Sequence, residues 1–275
     1  MLSLRKEIIP MINTIYIGET PVRYEDAGEG DVLVFLHGHL ESMEIWGSFT
    51  RPFEKNYRVI RFDLPGHGGS GLFGSASGME VMALAVTRVL ENLKVEKAIF
   101  FGHSMGGYSA LAALEFYPDV FSGIVLFHSH TLPDSLEVAK KREREIKIIN
   151  QGQKGLLVNL NIPNMFASDN IEKFQDAVQR SKTIAHGLSD EGVIAAIRGL
   201  KARPDRSDVL KNAGVPCLNI IGKKDNYIDF ENVSLKTELP EGSMRWVLEN
   251  SGHMGFIEEP GKAHEGIIQF LNSIG

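Results

Sequence analysis

The sequence has little of what marks secreted, membrane-bound or disulfide-linked proteins. Its 275 residues contain a single cysteine, Cys217, so an internal disulfide is excluded and nothing indicates an oxidising compartment. No run approaches the ~18 apolar residues of a membrane-spanning helix, and residues 1–16 hold no apolar segment typical of a signal peptide. We therefore expect a cytoplasmic protein without membrane contact.

An excess of positive charge is also missing. The chain has 29 Lys and Arg against 35 Asp and Glu, a formal net charge of −6, which gives nucleic acid and anionic membranes no attraction to it. What is present is 43% hydrophobic residues, enough to fill a sizeable core. A small molecule is the expected partner of a monomer or homodimer.

Short β-branched and apolar runs predict eight strands. They cover residues 14–17, 22–25, 32–36, 58–62, 98–101, 123–127, 216–221 and 244–248. The first two are close enough to pair as a hairpin, whereas helix-length connections separate the later ones. An amphipathic helix is predicted over about 77–93. The fold class is α/β, with a mostly parallel eight-stranded sheet and helices on both faces.

The alternation of strands and helices stops after the sixth strand. Residues 129–207 contain helical patterns and no convincing strand, which predicts an all-helical insertion. Its charge run 140–145 mixes both signs, as is typical of a solvated helix face. The predicted core domain comprises residues 1–128 and 208–275.

A G-x-S-x-G motif follows the fifth predicted strand and precedes a stretch of small residues. Gly102, Ser104 and Gly106 are its fixed positions, and a helix is expected to begin at about Met105. A strand, a sharp turn and a helix is the setting that exposes a serine nucleophile above a parallel sheet. We expect Ser104 to have a strained backbone and its neighbours to be glycines because side chains would collide there.

A serine nucleophile needs a base and an acid that orients the base, in the chain order Ser, Asp or Glu, His on this architecture. Asp225 follows the seventh strand and His253 follows the eighth. The nearby acids Asp229 and Glu231 lie farther from the strand end. The sequence therefore predicts Ser104, His253 and Asp225 as nucleophile, base and orienting acid.

The backbone N–H groups of Met105 and His39 are the predicted oxyanion-hole donors. Residues beside these positions are candidates for contact with substrate. They are His37, Gly38, Trp46, Tyr108, His128 and Met254.

Two other patterns have weaker interpretations. Residues 66–71 match the G-x-G-x-x-G of dinucleotide sites, but no helix follows promptly, so a tight structural turn is predicted. The pairs His37/His39 and His128/His130 could suggest a metal, yet no carboxylate is placed beside them. We expect neither a metal nor a cofactor.

These motifs together give the chain a resemblance to a known family. His37-Gly38, residues 63–70, residues 102–107, residues 222–225 and Gly252-His253 resemble the corresponding segments of α/β-hydrolases with a helical cap. The resemblance covers nearly all of the chain outside 129–207. It implies hydrolysis of carboxylic esters or lactones of small to medium acyl groups through an acyl-enzyme, without a cofactor.

The resemblance leaves alternatives. Haloalkane dehalogenases and epoxide hydrolases of this family have an aspartate at the position of Ser104, so the serine argues against both activities. Relatives that hydrolyse carbon–carbon bonds of vinylogous diketones share the serine but commonly have a glycine-richer loop than residues 37–42, which makes this the weaker enzyme hypothesis. A non-enzymatic small-molecule receptor with an intact triad is the third.

Overall fold

One eight-stranded sheet organises the computed structural model, which describes residues 11–75 and 77–275. The strands are β1 Met11–Ile17, β2 Thr20–Ala27, β3 Val32–Leu36, β4 Arg58–Phe62, β5 Ala98–His103, β6 Phe121–Phe127, β7 Cys217–Gly222 and β8 Met244–Leu248. All eight predicted strands are present. Residues 1–10, most of the segment in which no signal peptide was predicted, lie outside the described residues.

The strand order is β1-β2-β4-β3-β5-β6-β7-β8. β1 pairs with β2, and β2 with β4, in antiparallel fashion, which confirms the predicted hairpin. All other pairs are parallel. The loops after β3, β5, β6, β7 and β8 therefore leave the same edge of the sheet, where ligand sites of such sheets lie.

Helices cover both faces of the sheet. They are α1 Gly47–Thr50, α2 Met79–Asn92, α3 Met105–Phe116, α4 Leu136–Asn150, α5 Lys154–Asn164, α6 Gln175–Gly187, α7 Asp190–Ala202, α8 Ser207–Lys211, α9 Gly255–Glu258 and α10 Pro260–Ile274. The helix predicted over 77–93 is α2. None of these helices, among the residues described, is long and apolar enough to cross a membrane.

Alternation along the strands separates two hydrophobic cores. In β3, Leu33 and Phe35 face the core that includes α10, whereas Val34 and Leu36 face the core that includes α2 and α3. All six residues of β5 are buried because this strand lies in the middle of the sheet. The nucleophile motif thus stands at the end of a fully buried strand.

The connection between β6 and β7 is helical, as predicted for residues 129–207. It contains α4 to α7 and the short 3₁₀ turn Ser168–Asn170, and α8 begins at its end. Buried residues of these helices, among them Val158 and Ile197, join the same core as β3 and α10. The inserted helices are therefore packed onto the sheet domain by apolar contact.

The glycine-rich segment 66–71 is a tight turn, as predicted. The Gly66 N–H bonds to the Gly71 carbonyl at 3.0 Å, and the Asp63 carboxylate accepts from the N–H groups of Gly69 and Met43 at 2.8 Å each. The Asp63 carboxylate therefore lies at the centre of the loop and binds the Gly69 N–H within it. Through its bond to the Met43 N–H, Asp63 also connects this loop to the loop after β3.

Candidate active site

Ser104 occupies the sharp turn between β5 and α3. Its φ of 49° and ψ of −113° lie in a region that side chains other than glycine rarely adopt, which confirms the predicted strain. The Ser104 N–H donates to the Phe127 carbonyl at 3.1 Å, and the Ser129 hydroxyl donates to the Ser104 carbonyl at 2.9 Å. These bonds from β6 and its following loop hold the strained residue in place.

The flanking glycines are required by close backbone approach. A Cβ on Gly106 would overlap the Leu36 carbonyl oxygen, and one on Gly102 would overlap the backbone at the start of α3. Without side chains at these positions, α3 begins directly against the end of β3. The structure confirms the steric reason for the G-x-S-x-G spacing.

The loops after β7 and β8 bring Asp225 and His253 together. His253 Nδ1 lies 2.7 Å from Asp225 Oδ2, and both side chains are buried. The other carboxylate oxygen, Oδ1, accepts from the N–H groups of Tyr227 at 2.7 Å and Ile228 at 3.0 Å. Asp229 instead accepts from the Asn232 N–H at 2.9 Å, so among these acids it is Asp225 that contacts the histidine.

Charge coupling shifts the pKa of both groups. Burial alone would raise the pKa of Asp225, but the charge and hydrogen bond of His253 outweigh it, and the pKa is lowered. Burial alone would lower the pKa of His253, but the Asp225 carboxylate outweighs it, with smaller contributions from Glu41 and Glu258, and the pKa is raised. Asp225 is therefore ionised and stabilises the imidazolium form of His253.

The peptide of His253 is anchored to the inserted helices. Its N–H donates to the carbonyl of Met165, just after α5, at 2.7 Å. The buried Glu258 carboxylate accepts from the N–H groups of Gly252 and Ala167, at 2.9 Å each. The histidine loop and the end of α5 therefore form one hydrogen-bonded unit.

The two residues predicted to supply oxyanion-hole donors lie near Ser104. Met105 follows Ser104 directly and is the first residue of α3, where N–H groups have no intrahelical partner. His39 is in the loop after β3 and lines the same cavity as Ser104. Within the described residues, neither the Met105 N–H nor the His39 N–H has an acceptor.

A cavity of about 460 Å³ opens above the sheet edge. Ser104, His253, His39 and Tyr108 are in its wall on the sheet side. Residues on or beside the inserted helices complete it, among them Asp134, Arg142, Glu145, Asn161, Met165 and Arg203. The volume suits a small organic ligand, since such pockets measure roughly 300–1,000 Å³.

Of the six residues predicted to contact substrate, Tyr108 lines this cavity and five do not. His37, Gly38, Trp46, His128 and Met254 are fully buried behind the wall. Sequence proximity to the site did not distinguish them from wall residues, because a side chain next to a catalytic position can point into the core.

One histidine of each pair, His37 and His128, has structural partners. His37 donates from Nδ1 to the Gly38 carbonyl at 2.8 Å and accepts from the Leu64 N–H at 3.0 Å, and burial lowers its pKa to about 4. The ring nitrogens of His128 each lie 3.1 Å from a backbone nitrogen, of Gly222 and Gly255. Across residues 11–75 and 77–275 no group of three His, Cys, Asp or Glu is arranged to hold a metal ion.

Sequence reasoning did not single out the polar groups on the far wall. His130 accepts from the Leu132 N–H at 3.0 Å through Nδ1, and its Nε2 lies 2.9 Å from the Tyr108 hydroxyl. Burial, together with the charge of Arg203, lowers the pKa of His130 to about 3, so the ring is neutral and its hydrogen is on Nε2. The Tyr108 hydroxyl accepts that hydrogen and keeps its own for another acceptor.

Arg203 and Arg142 share one carboxylate in this wall. Arg203 Nη1 lies 2.5 Å from Asp134 Oδ1, Arg142 also binds Asp134, and the Arg203 guanidinium stacks 4.1 Å from the Tyr108 ring centroid. Two cations share one anion beside Tyr108, while the cavity wall as a whole contains three basic and three acidic residues. No local sequence motif predicts this cluster, because Asp134, Arg142 and Arg203 lie on separate segments and come together only when the inserted helices pack.

Comparison with known proteins gives matches over most of the chain. The family model described as alpha/beta hydrolase fold matches residues 31–260. A 2-hydroxy-6-oxononadienedioate/2-hydroxy-6-oxononatrienedioate hydrolase of Burkholderia vietnamiensis is 28% identical over 273 residues, which are 94% of each chain. A thermophilic esterase from Thermogutta terrifontis has a TM-score of 0.85 at 24% identity, over 97% of this chain and 99% of that one. An enol-lactonase from Burkholderia xenovorans has a TM-score of 0.83 at 20% identity, over 94% and 100%.

Proposed function

Because the chain belongs to the α/β-hydrolase family, we propose that it is a serine hydrolase that cleaves carboxylic esters or lactones of small to medium acyl groups. The observation that carries the proposal is the buried 2.7 Å contact of Asp225 with His253, which lines the same cavity as Ser104. The pairing of a base with an orienting acid beside a strained serine is the arrangement that nucleophilic acyl transfer requires.

In the proposed reaction, Asp225 holds the hydrogen of His253 on Nδ1, which leaves Nε2 to accept the Ser104 proton. The Ser104 oxygen then attacks the carbonyl carbon, and His253 passes the proton to the departing alcohol. Water, deprotonated by the same ring, attacks the acyl-enzyme, releases the acid and restores Ser104. The N–H groups of His39 and Met105 stabilise the oxyanion of each tetrahedral intermediate.

The experiment is hydrolysis of p-nitrophenyl esters from acetate to decanoate by the wild type and Ser104→Ala. Turnover that disappears in the variant supports the acyl-enzyme, and the preferred chain length measures the usable part of the cavity. A fluorophosphonate should label Ser104, as located by peptide mass spectrometry, and should leave Ser104→Ala unlabelled. Binding of small esters without repeated turnover would favour the receptor hypothesis instead.

A second candidate is hydrolysis of a carbon–carbon bond on the same three residues. The Burkholderia vietnamiensis relative bears the name of such a hydrolase, so this candidate is supported as well as ester cleavage is, and the composition of the loop 37–42 is not a sufficient reason to rank it lower. Arg142 and Arg203, which share Asp134, place two guanidinium groups at the cavity wall, and such groups suit a substrate carboxylate like the dioate in the name of that relative.

The two candidates differ in the substrate they need. A vinylogous 1,5-diketone acid offered beside matched simple esters separates them, because its hydrolysis consumes the conjugated chromophore and can be followed by absorbance. A Ser104-dependent kcat/KM at least ~10-fold higher for the diketone acid, equivalent to about 1.4 kcal/mol of transition-state stabilisation, would assign carbon–carbon cleavage. The reverse ratio would assign ester hydrolysis.

A further inference from the structure

A carboxylate and an imidazole that the proposed mechanism does not use are buried behind the site. Glu41 and His103 have relative exposures of 1% and 0%. Glu41 Oε2 lies 3.0 Å from His103 Nδ1 and accepts from the Gly38 N–H at 2.5 Å. On the other side of the ring, His103 Nε2 lies 2.8 Å from the His253 carbonyl oxygen.

The contacts on two sides of this pair have a fixed direction. A carbonyl oxygen only accepts, so His103 Nε2 carries a hydrogen that it donates to His253. Burial alone would raise the pKa of Glu41, but the charge and hydrogen bond of His103 and the Gly38 N–H outweigh it, and the pKa is lowered. The two side chains form a buried carboxylate–imidazole pair.

A buried carboxylate and imidazole in this place are costly unless they do more than fill space. The His103 ring is packed against the rings of Trp46 at 6.2 Å, Phe256 at 5.0 Å and His253 at 4.9 Å between centroids, without solvent contact. Desolvation of such groups can exceed their attraction, and a packed apolar pair would often be as stable. Glu41 Oε1 also lacks a partner among the residues described. Overall stability therefore gives little reason for these two residues.

Their contacts connect three loops of the site. His103 immediately precedes Ser104, and its Nε2 donates to the His253 carbonyl oxygen. Glu41 accepts from the N–H of Gly38, the residue before His39. Both backbone groups of His253 are thus hydrogen-bonded: the carbonyl accepts from His103, and the N–H donates to the Met165 carbonyl.

We propose that Glu41 and His103 are positioning residues that fix the nucleophile, the base and the oxyanion loop relative to one another. The proposal rests on the proposed function of Ser104 and His253. The pair touches no cavity surface, so it acts on the geometry of the reacting groups and not on the binding of substrate. A displacement of about 1 Å in such groups can reduce the rate by ~100-fold.

The first test is Glu41→Gln, which keeps the shape of the side chain and removes its charge. We expect kcat for a p-nitrophenyl ester to fall by roughly 10- to 100-fold with KM within about 2-fold of the wild type. Glu41→Asp restores the carboxylate and should recover part of kcat. The matched control is Glu25→Gln, which breaks a remote ion pair with Arg61 and should retain kcat.

A merely structural pair predicts a different pattern. Glu41→Gln and Glu25→Gln would then both lower Tm and both retain kcat, which would overturn the proposal. If Glu41→Gln does not fold, the double substitution with His103→Gln leaves no unpaired buried charge and should show the same loss of kcat. Retention of kcat by that double variant would also overturn it.

The second test is spectroscopic and needs no turnover. In protein with ¹⁵N-labelled histidine, His103, assigned by its loss in His103→Gln, should carry a hydrogen on Nε2, because that nitrogen lies 2.8 Å from the His253 carbonyl oxygen. In Glu41→Gln the signal of Nδ1, which faces Glu41, should shift. A His103 without a hydrogen on Nε2 in the wild type would refute the contact that links it to His253. Absence of Ser104-dependent turnover in the wild type would refute the proposed function, whereas unchanged kcat in Glu41→Gln beside normal wild-type turnover would refute only the positioning role.

Discussion

Replacement of Asp225 by Asn should invert the tautomer of His253. Asp225 Oδ1 accepts from the N–H groups of Tyr227 and Ile228 at 2.7 and 3.0 Å, while Oδ2 faces His253 Nδ1 at 2.7 Å. In the variant those two donors retain the amide oxygen at the Oδ1 position, so the amide NH₂ faces Nδ1. Nδ1 must then accept, the ring hydrogen moves to Nε2, and His253 loses the lone pair that accepts the Ser104 proton.

The size of the effect follows from these contacts. A flip of the amide would restore the tautomer but leave two backbone donors facing an NH₂ group, a loss of about 1 kcal/mol for each bond and so roughly a 30-fold penalty. The imidazolium would also lose its counter-charge. We therefore expect kcat to fall by about 10³- to 10⁴-fold, the scale seen when the same substitution reverses the tautomer in serine proteases.

The assay is steady-state hydrolysis of a p-nitrophenyl ester, with circular dichroism to verify the fold. Glu231→Gln is the control, since Glu231 is an exposed acid on the same loop and should retain kcat. Activity of Asp225→Asn within ~10-fold of the wild type would refute the tautomer reasoning. A large loss in Glu231→Gln instead would mean that the orienting acid had been misassigned.

Three further outcomes are expected. Because Asp225 raises the pKa of His253, the acid limb of kcat/KM should have its midpoint above pH 6.5. Activity should be lost as the pH falls, since the His253 ring then becomes protonated. A pH–rate profile from 5 to 9 measures this midpoint, which should be lower in Asp225→Asn. Gly38→Ala would place a Cβ 2.8 Å from His103 Nδ1 and 2.9 Å from Glu41 Oε2, so kcat should fall and the free energy of unfolding should decrease by about 1–3 kcal/mol, measured by denaturant titration; an unchanged kcat would contradict it. Arg203→Met should raise KM for an ester with a terminal carboxylate by about 10-fold or more and leave KM for a neutral ester nearly unaffected. The control is Lys201→Met, at an exposed position near the end of α7, which should change KM for neither ester. Equal effects of Arg203→Met on the two esters would contradict anion recognition.

The sheet and the three central side chains were accessible from sequence because each depends on local signals. Strand periodicity and the chain order of serine, acid and histidine suffice to place Ser104, Asp225 and His253 at one sheet edge. Strand ends were less accessible. β5 was predicted to end at residue 101, but Gly102 and His103 pair with Leu126 and Phe127. Neighbouring strands extended it past the residues that favour strand intrinsically.

Helix α2 illustrates the same limit. The amphipathic pattern over 77–93 predicts the helix, but within it Val81 and Leu84 are half-buried, whereas Met82 and Val86 are fully buried. The helix packs against α3 as well as the sheet, and so buries a wider face than a single stripe. Periodicity gives the existence of the helix, while its neighbours decide which side chains are covered.

Contacts between distant segments carried no sequence signal at all. Glu41 and His103 are 62 positions apart, and the partners of Asp134 lie on two different helices of the insertion or at their ends. Such pairs depend on which loops the crossover connections bring together and on how the inserted helices settle. This explains why the sequence places Ser104, Asp225 and His253 at one sheet edge, while five of the six predicted substrate contacts lie outside the cavity wall.

The cavity wall has two parts, and substitutions in each part should have different effects on the kinetics. The sheet edge carries Ser104, His253 and the backbone N–H groups of His39 and Met105, so substitutions of residues packed beneath these groups should change kcat. The insertion supplies Arg203 and its neighbours, so substitutions there should act on KM and on the choice of substrate. The bond from the His253 N–H to the Met165 carbonyl is where the two meet. Substitutions that shift the end of α5 should therefore change kcat and KM together, unlike those on either side.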